Sequence, residues 1–228
     1  MGQVWSIVVA GGSGRRFGQM KQFSVLNGRP VLAWAVEACR PSSAGVVLVL
    51  PASGSAGDAS AGDGTAEQEP HGADVVVTGG ATRADSVRSG LAAVPADADV
   101  IVVHDAARPL ASPALFAAVI EAVVDGGADG AVPGVTPSDT IKAVDSSGQV
   151  ITTLDRATLV AVQTPQAFRA DVLRRAHDDA EAGATDDAML VEALGGTVQV
   201  VPGEPGNLKI TDPEDLEAAE RQLAEREG

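Results

Sequence analysis

The stretch richest in possible chemistry is Ala10-Gly11-Gly12-Ser13-Gly14-Arg15-Arg16-Phe17-Gly18-Gln19-Met20-Lys21. It follows Ile7-Val8-Val9, an apolar run that predicts a buried strand. Glycines let a backbone approach a ligand closely, and exposed amides in such a turn form an anion cradle. Arg15, Arg16 and Lys21 add cationic side chains to the same loop. A phosphate compound is the ligand this pattern suits. The dinucleotide fingerprint is broken, because Phe17 stands where its third glycine belongs and Gly18 comes one residue late. The P-loop pattern fails as well, since Gly18 is followed by Gln19-Met20 rather than a lysine and a hydroxyl residue. Taken alone, the loop is also compatible with a glycine-rich βα turn carrying solvated charges.

Further candidates lie downstream. Val100-Ile-Val-Val103 runs into His104-Asp105-Ala106-Ala107-Arg108-Pro109. In open α/β sheets ligands bind beyond the carboxyl ends of strands, where Asp105 could hold a ribose hydroxyl or a magnesium ion. The plainer reading makes Asp105 a cap paired with Arg108. Gly79-Gly80-Ala81-Thr82-Arg83-Ala84-Asp85-Ser86 ends another strand and opens a helix, with Ser86 offering a hydroxyl in the first turn. Lys209, within Asn207-Leu208-Lys209-Ile210, either reaches a phosphate or is a surface charge. No Ser/His/Asp elbow, catalytic cysteine motif or metal-ligand cluster is legible, and His71, His104 and His177 are scattered. Phosphoryl and nucleotidyl transfer need mainly positioning and charge neutralisation, which this inventory suits.

The elements that must carry these residues alternate. Strands are expected over Val4–Ala10, Val46–Leu50, Asp74–Thr78, Asp99–Val103 and Gly130–Val135. Helical spacing covers Pro30–Arg40, Arg83–Val94 and Pro113–Val124. Strands apolar on both faces and separated by helices predict an α/β fold, a Rossmann-like, mostly parallel sheet with helices on both faces. Ser112-Pro113 marks a helix start, and Thr211-Asp212-Pro213-Glu214, with Glu214 as capping-box acid, starts a last helix to about Arg226. Residues 51–73, low in complexity, are expected to be a mobile surface loop. Thr140–Val144, a turn at Asp145–Gly148 and Gln149–Thr153 predict a β-hairpin. An isolated hairpin is marginal in water, so this arm should pack on the parent domain or on a second subunit.

Composition sets further bounds. The 228 residues suffice for one large α/β domain or two small ones; a single domain spanning 1–228, with an arm at about 137–157, is expected. With 45% hydrophobic but only 3% aromatic residues, the core must be built from Val, Ala, Leu and Ile. A net charge of −15, from 31 acidic and 16 basic residues, repels nucleic acid and anionic membranes. A phosphorylated ligand must therefore be held by local cations. The lone Cys39 excludes an intramolecular disulfide, and no signal-type segment or membrane-length apolar run is present, so the expected location is the cytoplasm.

In these motifs the sequence resembles the 2-C-methyl-D-erythritol 4-phosphate cytidylyltransferases of the non-mevalonate isoprenoid pathway. The resemblance covers nearly the whole chain. It rests on Ala10–Arg16 with Lys21-Gln22, Gly79-Gly80 with Arg83–Val87, and His104–Pro109. It continues through Asp139–Lys142, Leu154–Arg156, Gln163–Gln166, Thr185–Asp187 and Asn207–Thr211. It implies nucleotidyltransferase chemistry: CTP and methylerythritol 4-phosphate give the cytidine diphosphate derivative and pyrophosphate. It further implies catalytic roles for Arg16, Lys21 and Lys209. CTP would be bound by Ala10, Gly11, Gly12, Gly14, Gly80, Ala81, Ser86, Asp105 and Ala106. The polyol phosphate would meet Asp105, Arg108, Thr140, Arg156 and Thr164, with Thr140 and Arg156 supplied across a homodimer interface by the β-arm. Mg²⁺ is the implied cofactor, held mainly by phosphates, with Asp105 as a candidate ligand and no dedicated protein cluster. Arg15 acquires no role. Met20 stands where the family usually has proline, and Ala81 where relatives often carry an acid. A cytidylyltransferase for ribitol or glycerol phosphate, a molybdopterin nucleotidyltransferase, and a non-catalytic nucleotide-binding module are the competing readings.

Overall fold

The computed structural model describes residues 2–10, 21–52, 69–178 and 186–227. Its centre is one sheet, which in space runs β5 (Val75–Thr78), β4 (Gly45–Leu50), β1 (Val4–Val9), β6 (Val100–Asp105), β11 (Gln166–Arg169), β7 (Gly130–Val135). β12 (Val198–Pro202) pairs with the far side of β7 and runs parallel to it. Neighbours from β5 to β6 are parallel, and β11 alone crosses the sheet's middle in the opposite sense. The short β10 (Ala161–Val162) precedes it on the same edge of β7. Apart from this sheet, β2 (Val25–Leu26) and β3 (Arg29–Pro30) form a two-residue ladder that leads into the first helix. The mostly parallel α/β sheet expected from the sequence is thus present, and the five expected strands are all members of it.

β1 and β4 are the reason the sheet is covered on both faces. Gly45–Leu50 is buried at every position, so neither face can be left to water. On one face, α1 (Val31–Cys39) and α3 (Pro113–Val124) place Leu32, Val36, Phe116 and Val119 against Val8, Leu48 and Val102. On the other, α2 (Arg83–Ala93), α4 (Ala170–Asp178) and α5 (Asp187–Ala193) place Val87, Leu91, Leu173 and Val191 against Ile7, Val49 and Val103. Cys39 sits in the first of these layers, and burial pushes its thiol up to about 12, a pKa that keeps it unreactive.

The insertion of β11 between β6 and β7 was not expected, because these strands follow one another in the chain. Gly130 makes room for it: a Cβ there would lie 2.6 Å from the ring of Phe168, which is fully buried. The last helix, α6 (Pro213–Glu227), begins where the capping signature placed it. The acid that caps it is Asp215, not Glu214; Asp215 Oδ2 accepts from the amides of Thr211 at 2.7 Å and Asp212 at 2.9 Å. Only the third residue after the cap is placed to reach back, and Pro213 occupies the first helical position, which makes Asp215 that residue.

The expected hairpin is formed by β8 (Lys142–Val144) and β9 (Val150–Thr153), antiparallel with an irregularity at Ala143/Val144. Asp145 closes the turn, its Oδ1 accepting from the amides of Ser147 at 2.9 Å and Gln149 at 3.0 Å. Val144, Val150 and Ile151 remain exposed, Ile151 by 67%. Of the loop expected over 51–73, residues 53–68 lie outside the described residues.

Candidate active site

The carboxyl ends of β1, β5 and β6 open onto a cavity of about 340 Å³. β1 contributes Ala10, whose amide donates to Val49 O at 2.9 Å and whose carbonyl accepts from buried Gln22 Nε2 at 2.8 Å. That second bond fixes the re-entry of the chain after the glycine loop and sets Lys21 on the cavity wall. Beyond β5 the chain turns through Gly79-Gly80-Ala81 into α2. Thr82 caps that helix, with its side chain accepting from Asp85 N at 3.0 Å and Asp85 Oδ2 accepting from Thr82 N at 3.1 Å. A Cβ on Gly80 would overlap the side chain of Asp85, so this capping box requires glycine there. Ser86 lines the cavity, but its hydroxyl is already engaged, donating to Thr82 O at 3.0 Å and accepting from Gly80 N at 3.3 Å.

β6 delivers Asp105 and Ala106. Opposite them stands Lys209, held because Ile210 is fully buried among Leu26, Val31, Leu110 and Leu223 and donates its amide to Ala107 O at 2.8 Å. Lys209 Nζ lies 2.6 Å from Asp105 Oδ2. The surface-charge reading of Lys209 is therefore replaced by a place in the cavity. The pairing of Asp105 with Arg108 is replaced too: Asp105 Oδ1 faces Arg83 Nε at 3.5 Å, while Arg108 donates to Asn207 O at 2.7 Å. Burial alone would raise the pKa of Asp105, but Arg83 and Lys209 outweigh it and hold the carboxyl down at about 2.

Behind Asp105 lies a buried polar layer. The Asp105 amide donates to Thr164 Oγ1 at 3.0 Å, and Thr164 Oγ1 meets His104 Nδ1 at 3.1 Å. His104 Nε2 is 3.0 Å from Arg108 O, which can only accept. The proton therefore resides on Nε2, and Thr164 donates to Nδ1. Burial pushes His104 down to about 4, so it is neutral at physiological pH. Asn207 Nδ2 donates to Thr164 O at 2.9 Å, tying the segment before α6 to the same layer.

The cavity gathers the expected Ala10, Lys21, Ala81, Ser86, Asp105, Ala106 and Lys209, with Gly80 one residue away. Arg108 and Thr164 stand behind its wall. Thr140 and Arg156 belong to the arm and its base, where Arg156 donates to Ser138 O at 2.7 Å. Gly11, Gly12, Gly14, Arg15 and Arg16 lie outside the described residues. Two functional candidates were missed by sequence reasoning. In the sequence Gln22 stands out only as the neighbour of Lys21, and Arg83 only as part of a helix start. Arg83 lines the cavity and joins Asp105 to Asp187, whose Oδ2 it meets at 2.7 Å. The capping motif that begins at Thr82 carried a signal for Arg83's place in the first turn, but none for its partner over a hundred residues away.

A glycine-flanked cavity at the carboxyl edge of a mostly parallel sheet, with lysines from two ends of the chain, defines an α/β nucleotidyltransferase. Comparison with known proteins narrows this. The family model for 2-C-methyl-D-erythritol 4-phosphate cytidylyltransferase matches residues 4–225. Proteins of that name from Frankia casuarinae and Nocardia farcinica are 45% and 44% identical, over 97% and 99% of this chain and 82% and 96% of theirs. A bifunctional IspD/IspF enzyme of Anaeromyxobacter dehalogenans is 45% identical, but the match spans 57% of its length. The crystal structure of the enzyme from Thermus thermophilus superposes with a TM-score of 0.76 at 34% identity, covering 96% of this chain and 98% of that one. The chain belongs to the 2-C-methyl-D-erythritol 4-phosphate cytidylyltransferase family. It is an enzyme of isoprenoid precursor biosynthesis.

Proposed function

We propose that the cavity takes CTP and transfers its CMP group to 2-C-methyl-D-erythritol 4-phosphate, releasing pyrophosphate. The observation that carries this is the meeting of Lys21 and Lys209 with Asp105 in one cavity rimmed by the small residues Ala10 and Ala81, with Gly80 beside them. Small residues there leave room for a nucleobase close to the backbone. The whole chain acts as one catalytic domain in this reading. CTP is placed against Ala10, Gly11, Gly80, Ala81 and Ser86 at the base and Gly12, Asp105 and Ala106 at the ribose, with Gly14 also assigned to CTP.

In the reaction an oxygen of the polyol phosphate attacks the α-phosphorus of CTP. The bond from that phosphorus to the bridging oxygen breaks, and pyrophosphate leaves with the electron pair. The phosphate nucleophile is largely ionised at neutral pH, since its second pKa is about 6. No general base is then needed, which suits a site whose nearest imidazole, His104, is buried and neutral. Arg16, Lys21 and Lys209 neutralise charge that grows at the α-phosphorus and the leaving group, in a protein whose net charge of −15 would otherwise repel both substrates.

Asp105 suits a magnesium ion. It is ionised, exposes part of its carboxylate to the cavity, and is the single carboxylate lining it among the described residues. That fits an ion that takes one or two carboxylates and fills its shell with phosphate oxygens and water. When bound there, Mg²⁺ would neutralise phosphate charge. Thr140 and Arg156 serve the cavity of a second copy of the chain, reached by the arm in a homodimer. The exposed Val144, Val150 and Ile151 support that reading, because a lone hairpin rarely leaves such side chains in water. Arg108 and Thr164 act on the polyol phosphate partly through the loop they hold. The cytoplasm is the proposed location; among the described residues no helix is long and apolar enough to cross a membrane.

The test is pyrophosphate release from CTP with 2-C-methyl-D-erythritol 4-phosphate as acceptor, beside ATP, GTP and UTP, and beside ribitol and glycerol phosphates. Release confined to CTP and the methylerythritol phosphate is expected. Preference for another acceptor would reassign the substrate.

A further inference from the structure

We propose that Arg83 is a positioning residue for catalysis: it shares the charge of Asp105, so that Lys209 can leave that carboxylate for the phosphates of the substrates. The inference rests on the cytidylyltransferase reading of the cavity. In the free chain Lys209 is not waiting in open solvent. Its Nζ lies 2.6 Å from Asp105 Oδ2. To neutralise a phosphate it must give up much of that contact. Asp105 is only 14% exposed at its side chain, and a largely buried carboxylate stripped of its cation is strongly disfavoured. As long as no magnesium ion is bound at Asp105, a single counter-ion would therefore hold the catalytic lysine in place.

Arg83 removes that conflict. Its Nε faces the other carboxylate oxygen, Oδ1, at 3.5 Å, so Asp105 keeps a cation when Lys209 departs. Arg83 is kept at this post from behind. Its Nη1 lies 2.7 Å from Asp187 Oδ2, and Asp187 Oδ1 meets His177 Nε2 at 2.9 Å. The side chains of Asp187 and His177 are each 1% exposed, which makes this anchor rigid and dry. The network thus runs from Lys209 at the cavity to His177 in α4. A guanidinium is suited to the middle position, because its planar fork can address two carboxylates at once, where an ammonium is a single point charge. Nothing in this arrangement requires Arg83 to touch substrate.

The proposal is tested first in the free chain, without activity. The sequence holds only three lysines, Lys21, Lys142 and Lys209, so Lys209 is read in a peptide of its own, and an added lysine-containing peptide serves as reference. Competitive acetylation with acetic anhydride, read by mass spectrometry, reports how tightly Lys209 is held. Arg83→Met is expected to slow labelling of Lys209 relative to the reference peptide by about threefold, the scale of one partly exposed ion pair. Asp105→Asn is expected to speed it. Kinetics follow. Arg83→Met should lower kcat by roughly thirtyfold with the KM for CTP changed less than about threefold, and Arg83→Lys should recover part of the loss. In a Lys209→Ala background the same Arg83→Met change should lower the residual rate by less than about threefold, because the two residues act in one unit. Should Arg83→Met fail to fold around the stranded Asp187, Arg83→Met/Asp187→Asn takes its place. Unchanged labelling of Lys209, or an equal kinetic loss in both backgrounds, would overturn the proposal. If the wild-type chain released no pyrophosphate with any acceptor, the substrate assignment would fall, while the labelling result would still decide the role of Arg83.

Discussion

The cavity and the β-arm are built by opposite means. At the cavity, Ala10, Asp105 and Lys209 are each held by residues from elsewhere in the fold. Asp105 is fixed by Thr164 and Arg83, Ala10 by Gln22, and Lys209 by the buried Ile210 beside it. The arm is held mainly by itself, through a short antiparallel ladder and the Asp145 turn, and it leaves Ile151 67% exposed. The described residues among those proposed for CTP are thus preorganised within one chain. Those proposed for the polyol phosphate are divided, with Arg108 and Thr164 behind the cavity and Thr140 and Arg156 on the arm. A site built in this way should lose chemistry when the cavity is changed and lose acceptor use when the arm is changed.

The largest expected effect lies in the cavity. Lys209→Ala should lower kcat by about a hundredfold or more with thermal stability nearly unchanged, since its side chain is 45% exposed and its loss removes charge rather than packing. Normal turnover in that variant would remove the cavity's claim to the chemistry. On the arm, Arg156→Ala should raise the KM for the polyol phosphate by roughly tenfold or more, the scale of one charge-assisted hydrogen bond, while the KM for CTP moves little. An equal rise in both constants would erase the division between the two regions.

A smaller but sharper contrast comes from assembly. Ile151→Glu should leave the fold intact, shift the chain toward monomer in sedimentation, and reduce activity at low protein concentration with recovery at high concentration. A fully active monomer would show that the arm has no share in the site. A last contrast is one of stability with pH and leaves turnover at neutral pH untouched. His104 is held neutral by burial, with its folded pKa at about 4 against 6.5 in the unfolded chain. The unfolded state binds the proton first, so this group stabilises the fold above pH 6.5, and that contribution is lost as pH falls from 6.5 to about 4. The loss amounts to roughly 3 kcal/mol. Urea denaturation across that range should therefore slope less steeply in His104→Gln than in the wild type.

Much of the cavity was legible beforehand because its motifs are local. A strand that ends in glycine or aspartate and is followed by a helix puts those residues at the same edge of a parallel sheet, whatever the strand order. Ala10, Gly80 and Asp105 were found in this way. The arm was legible from Asp145–Gly148, whose side-chain and glycine geometry suffices to close a hairpin. Glu214 and Asp215 both fit the composition of a helix start, and only the cap geometry separates them. The role of Arg83 is not legible in the sequence, because its carboxylate partners at the cavity, Asp105 and Asp187, are distant in the chain. Asp187 and Asp105 reach it from α5 and β6, across 104 and 22 residues by numbering.

The amino-acid sequence by itself determined the class of fold, the edge of the sheet that carries the chemistry, and the kind of ligand that local cations can hold against a net charge of −15. Those properties follow from periodicity, turn residues and composition, which act over a few positions. Tertiary structure alone decided that β11 enters between β6 and β7, that Lys209 meets Asp105, and that Arg83 stands between two carboxylates. Such pairings depend on which distant segments are brought side by side when the sheet is assembled and its two faces are buried. A charged residue's own neighbours in the chain carry no record of that.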